Sequence, residues 1–209
     1  MKSLFSEYLG EKDKIKARLK EFELVWQKTD KKIFSELCFC ICTPQSKAVV
    51  CGEAIRELEK TGMLFNANVE ELKLCLKGVR FQNNKAKYIL RARELFTTGG
   101  KINIKNKIIL ADIRGTRTWF QERVLGLGLK ETSHFLRNIG FGEDLAILDV
   151  HVLRNMVKYG VIKEVPGYMS KKTYLQLEEK LAKFSREIKI PMAELDLLFW
   201  SRETGRIYK

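Results

Sequence analysis

Two short stretches carry the residue types from which covalent chemistry is built. GLGLK, residues 126–130, sets two glycines around a leucine and ends on Lys130, and LDVHV, residues 148–152, carries Asp149 and His151. Lys130 falls in the first turn of a predicted helix, beside the positive end of the helix dipole. That position disfavours an ammonium and makes the free amine, the nucleophilic form, easier to reach. Asp149 precedes the apolar-periodic Val150, Leu153 and Val157 and reads as an N-cap. A capping carboxylate accepts from helix amides, which favours its ionised form. An ionised aspartate near a free amine takes up a proton or steadies a developing cation. Taken singly, each residue also has a plainer reading: an exposed lysine and an ordinary cap.

Gly126 and Gly128 shape the approach to Lys130. Glycine accepts φ > 0 and lets another backbone come close. A tight hairpin here turns the amides of the following helix outward, where they suit phosphate oxygens. The same G-x-G serves equally as a plain helix C-cap and turn.

The elements that must position these residues are helical nearly throughout. Residues 2–20 mix charge with Leu4, Phe5, Tyr8, Leu9, Ile15 and Leu19, and Thr29 or Asp30 caps a helix through IFSELCFCIC. Pro44 suits the first turn of a helix over 44–60. Asn68 and Glu71 form a capping box for VEELKLCLKG, which Gly78 ends. A basic helix near 83–98 stops at Gly99-Gly100, and two shorter helices fill 105–125. Further helices are expected near 129–139, 149–159, 170–187 (capped by Ser170) and 191–203 (opened by Pro191). KINIKNKII at 101–109 alternates, but one short run builds no sheet. The expected fold class is all-α.

At 209 residues the chain forms one domain or two closely packed lobes. It shows neither a long apolar span nor an apolar leader at its start. Lys and Arg number 39 against 26 Asp and Glu, a formal charge of +13 spread along the chain. A basic surface of this kind suits a polyanion such as nucleic acid, though a basic protein without that partner has the same composition. Five cysteines in no regular framework point to free thiols in a reducing compartment. Without a C-x-x-C pair or a nearby histidine, Cys38, Cys40, Cys42, Cys51 and Cys75 read as small buried apolar residues rather than zinc ligands. No metal is assigned to the chemistry.

Taken together, the stretches resemble the helix-hairpin-helix DNA glycosylases, whose signature is a hairpin, glycine-x-glycine-x-lysine, then a gap and V/L-D-x-H. Gly126 to Lys130 and Leu148 to His151 match it, at the spacing of the lysine-bearing, bifunctional members. Leu125 stands where many members have proline, which alters hairpin stiffness rather than chemistry. FSELCFCICTPQSKA (34–48), KAKYIL (85–90), LKETSHFLRNIGFG and the ending LLFWSRETGRIYK extend the likeness. They look like the compact second type of 8-oxoguanine DNA glycosylase/AP lyase.

The resemblance implies a single catalytic unit over 1–209 with two helical lobes and an active-site cleft between them. One lobe is expected over about 34–140, with the helix-hairpin-helix at about 115–140; the other takes 1–33 plus about 145–209. The implied partner is double-stranded DNA containing 8-oxoguanine or abasic sites, met by a monomer in a prokaryotic cytoplasm at the nucleoid. The implied chemistry is base flipping, attack of Lys130 on C1′, charge stabilisation by Asp149, and strand cleavage through a Schiff base. It needs no cofactor beyond a structural monovalent cation at the hairpin. The iron–sulfur cluster of some superfamily members is excluded, because no cysteine follows Asp149.

Further residues take roles from the same likeness. The α-carboxylate of Lys209 would accept from guanine's Watson–Crick edge and Trp200 would stack on the purine, although a frayed tail with one core tryptophan reads the same. His134 shares a helix face with Lys130 and is expected to line its pocket, or else to sit in the core or on the surface. Gln45 matches the turn pushed into the gap that a flipped base leaves. Phe81 is a stacker, a wedge or a core residue. Lys85, Lys87 and Arg91 are expected to meet phosphates, or to form a solvated helix face. Lys85 also stands near a place where the larger eukaryotic type uses arginine to read the orphaned cytosine. His151 sits near phosphate or simply packs. Two other readings remain: a helix-hairpin-helix glycosylase for a different damaged base, and a hairpin module that binds DNA without chemistry.

Overall fold

A computed structural model describes residues 2–205 and 207, which places the expectation for Lys209 outside the described residues. The fold is all-α. In chain order the helices are α1 Lys2–Trp26, α2 Asp30–Cys42, α3 Ala48–Lys60, α4 Met63–Asn66, α5 Val69–Cys75, α6 Gln82–Phe96, α7 Ile113–Arg123, α8 Leu129–Asn138, α9 Val150–Lys158, α10 Lys171–Ile188 and α11 Met192–Thr204. No helix among the described residues is long and apolar enough to cross a membrane.

Local signals explain most of the helix ends. The Thr29 hydroxyl accepts from Lys32 N–H, and the Asn68–Glu71 capping box forms at α5. Ser170 caps α10 through Thr173 N–H at 3.0 Å. Gly99 and Gly100, both with positive φ, turn a two-residue ribbon in which β1 (Thr97–Thr98) pairs antiparallel with β2 (Lys101–Ile102). Of the two helices expected over 105–125, the first shrinks to a 3-10 turn at Lys105–Lys107 and the second is α7.

The helix expected over 44–60 is corrected: α3 starts only at Ala48. Proline's fixed φ suits the second position of a β-turn as well as a helix start. Here Ser46 N–H donates to Thr43 O at 3.0 Å, closing that turn over Pro44 and Gln45.

The chain divides into two compact units, residues 25–135 and residues 1–24 with 136–209. In the first, Phe34, Phe96, Phe120 and Phe135 run as a buried aromatic chain with centroids 5.2–6.4 Å apart. The Asp30 carboxylate accepts from Lys105 N–H at 2.9 Å and ties the 3-10 turn to the start of α2. In the second unit, Arg137 lays its guanidinium over Phe22 and pairs with Asp196 at 3.4 Å. Tyr159 stacks near Phe184 and Phe199 where α9, α10 and α11 meet.

Candidate active site

Lys130 stands in the first turn of α8, half-buried, directly after the hairpin. Gly126 has φ +85°, and a Cβ on it would lie 2.6 Å from the Tyr88 ring, so the turn requires glycine both for its backbone and for its packing on α6. Gly128 begins α8: its carbonyl accepts from Thr132 N–H at 3.0 Å and from the Thr132 hydroxyl at 2.8 Å. Glu131, which sequence reasoning missed, completes the arrangement. One of its carboxylate oxygens accepts from Gly128 N–H at 3.1 Å and the other meets Lys130 Nζ at 2.9 Å. The signal lay in the spacing: a glutamate three residues after a helix-starting residue is the reciprocal half of a capping box.

Asp149 stands in the other unit as the N-cap of α9. Its Oδ1 accepts from His151 N–H at 2.9 Å and Val152 N–H at 2.8 Å. Both bonds fall on one oxygen, so Oδ2 remains open to other contacts. The stretch leading to it, residues 145–148, is fully buried and irregular, and α10 supplies its missing backbone partners. Tyr174 Oη donates to Ala146 O at 2.6 Å and accepts from Leu148 N–H at 3.4 Å, while Glu178 accepts from Ala146 N–H at 2.8 Å. Tyr174 and Glu178, one turn apart on α10, thus fix the chain just before Asp149. A polar pair inside an otherwise apolar stripe was the available sign.

The other expected site residues fall as follows. His151 is half-buried, with Nδ1 4.0 Å from the Glu203 carboxylate on α11. Trp200 lies half-buried on α11. His134 is buried one turn after Lys130, its ring edge-on to Phe39 of α2 at 5.6 Å. Lys87 and Arg91 are exposed on α6, and Arg91 pairs with Glu94 at 3.0 Å. Gln45 and Phe81 are both exposed and both hold left-handed backbone, at φ 55° and 59°. That conformation costs a side-chain-bearing residue roughly 1–2 kcal/mol and persists only where the surroundings impose it. The Arg80 guanidinium lies over the Phe81 ring, 5.2 Å from its centroid.

Lys85 departs from the expectation of a phosphate contact. Its side chain is buried, and its ammonium donates to Cys42 O, Pro44 O and Ser46 Oγ at 2.6, 2.8 and 3.0 Å. An ammonium has three N–H donors, and all three are used inside the protein. Burial pulls its pKa down; the neighbouring Cys42, Cys51 and Glu131 pull it up, and Lys130 pulls it down. A helical spacing of two and four could not show this, because Lys85 and Lys87 lie on different faces of α6. Cys38, Cys42 and Cys51 are buried, and burial raises their thiol pKa values, so they stay protonated.

Leu125 and Gly126 of the hairpin are exposed, and the oxygens that a turn of this kind would present to a cation are backbone carbonyls. Such hard, uncharged oxygens fit a monovalent cation better than a thiophilic metal.

Comparison with known proteins covers the chain nearly end to end. A family model described as 8-oxoguanine DNA glycosylase, Ogg-HhH, matches residues 15–190. The 8-oxoguanine DNA glycosylase/AP lyase of Fusobacterium nucleatum is 45% identical over 98% of this chain and 99% of its own length. The crystal structure of the 8-oxoguanine DNA glycosylase of Thermotoga maritima superposes with a TM-score of 0.88 at 35% identity, covering 100% of this chain and 97% of that one. The Methanocaldococcus jannaschii 8-oxoguanine glycosylase/lyase in complex with 15mer DNA containing 8-oxoguanine gives 0.88 at 32% identity, over 100% of both chains.

Proposed function

The chain belongs to the 8-oxoguanine DNA glycosylase family, and on that premise we propose that it removes 8-oxoguanine from DNA and then cleaves the strand at the exposed abasic site. A nucleotide inside a stacked duplex hides its C1′, so the lesion must first leave the helix. The Lys130 amine then attacks C1′: a C–N bond forms to Lys130 while the bond to the base breaks and the base departs with its electron pair. The Asp149 carboxylate steadies the positive charge that develops on the sugar. Loss of a proton from the amine and ring opening give a Schiff base, whose acidified C2′ proton permits β-elimination of the 3′ phosphate.

The observation that carries this reading is the placement of Lys130. It is the lysine in the first turn after the glycine hairpin, in a chain matched to this family over nearly all its length. Asp149 supports it by leaving one carboxylate oxygen open after capping α9. Base recognition is assigned to Trp200 and the Lys209 carboxylate, with His134 and Phe81 as supporting residues. Phosphate contacts are assigned to Lys87, Arg91, the hairpin amides around Gly126 and Gly128, and His151. Gln45 is assigned to the space that the extruded nucleotide vacates. A monovalent cation at the hairpin carbonyls would add positive charge beside a phosphate and takes no part in the bond changes. The protein acts as a monomer, in the cytoplasm and at the nucleoid.

Borohydride trapping tests the reading. A duplex carrying 8-oxoguanine should give a covalent adduct that Lys130→Gln abolishes. An adduct on thymine glycol but not on 8-oxoguanine would reassign the substrate; none on any damaged duplex would remove the chemistry.

A further inference from the structure

Three non-glycine residues among those described have left-handed backbone: Gln45, Phe81 and Lys189. Lys189 closes the C-terminus of α10, where that conformation is common. Gln45 and Phe81 lie instead on two turns, with exposed side chains, and neither is a glycine or asparagine, the residues that take φ > 0 most readily.

A buried staple joins these two turns. Lys85 Nζ takes Cys42 O, Pro44 O and Ser46 Oγ. Ser46 Oγ also accepts from Arg80 N–H at 2.9 Å. One ammonium and one hydroxyl therefore bind residues 42–46 to residues 80–85. The arrangement is electrostatically sound, since Cys42 ends α2 and its carbonyl lies at the negative end of that helix dipole. It also gives a reason for a lysine at a position only 4% exposed, where burial works against its charge.

We propose that Lys85 and Ser46 are positioning residues for base extrusion: they lock the Gln45 turn against the Phe81 turn, so that Gln45 enters the duplex on a rigid edge as the lesion leaves. The inference rests on the reading that Gln45 fills the vacated space. A side chain that displaces a stacked base must not yield, and a strained turn holds its shape only when its neighbours over-determine it. Lys85 acts through the Gln45 turn and touches neither phosphate nor the orphaned base.

The test uses the full-length protein and a duplex with 2-aminopurine beside 8-oxoguanine, whose fluorescence rises on unstacking. Single-turnover excision and cleavage of a preformed abasic duplex are measured in parallel. Ser46→Ala, which leaves the two Lys85–carbonyl bonds intact, should lower excision relative to abasic cleavage by roughly tenfold, as expected for a misplaced positioning group. It should also diminish the 2-aminopurine signal as Gln45→Ala does, and Ser46→Thr, which restores a hydroxyl, should recover both. Lys85→Met should act in the same direction and more strongly. Should Gln45→Ala impair extrusion while Ser46→Ala behaves as wild type, the staple is refuted and the Gln45 reading survives. Should Gln45→Ala itself extrude normally, both fall. An equal loss of excision and abasic cleavage in Ser46→Ala would assign the staple to general stability and also overturn the proposal.

Discussion

The start of α8 and the start of α9 place opposite charges at the same kind of position, and the protein treats them differently. At α9 the charge is the cap. Asp149 is a carboxylate at the positive end of a helix dipole, taking two amides of its own helix on one oxygen. At α8 the charge is a lysine in the first turn, where the same dipole opposes it. The cap is a glycine without a side chain, and Glu131 reaches back to supply what is missing. The same carboxylate also pairs with Lys130. The electrostatically favoured residue is held by the amides of its own helix, and the disfavoured one by a partner side chain.

The largest expected effect comes from separating charge from capping at α9. Asparagine caps about as well as aspartate, so Asp149→Asn should leave stability within about 0.5 kcal/mol by urea unfolding while excision slows by roughly 10²–10³-fold, the scale of losing an electrostatic stabiliser. Parallel losses in both would reduce Asp149 to a structural cap.

A smaller effect is expected at α8. Glu131→Ala removes the reciprocal cap of the hairpin helix and should cost about 1 kcal/mol in urea unfolding. Glu131→Gln, whose amide oxygen still accepts from Gly128 N–H, should recover most of that. If both variants unfold alike, the carboxylate's charge, not its cap, holds the start of α8, and the contrast between the two helix starts weakens.

Fold class and most helix starts were legible because caps and breakers are local: Thr29, the Asn68–Glu71 box, Asp149 and Ser170 all act where the sequence placed them, whereas the four-residue α4 and the 3-10 turn at Lys105–Lys107 were not read. Pro44 fits two local conformations, and the buried lysine that pins one of them lies on another helix. Lys130 and Asp149 stood out because their positions relative to helix starts can be read along the chain. Lys85 was misjudged for the opposite reason. Its partners are 39 to 43 residues away, and a charge at helical spacing looks the same whether it faces water or three acceptors. Tyr174 and Glu178 left only a faint sign, a polar pair in an apolar stripe, because the backbone they satisfy, at 146 and 148, is irregular and far off in sequence.

The central claim is that the amine of residue 130 forms the bond to C1′. Proteolysis and mass spectrometry of the borohydride-reduced adduct from an 8-oxoguanine duplex address it directly. The account predicts that the deoxyribose remnant maps to Lys130; its appearance on any other lysine, or on the N-terminal amine, would contradict it.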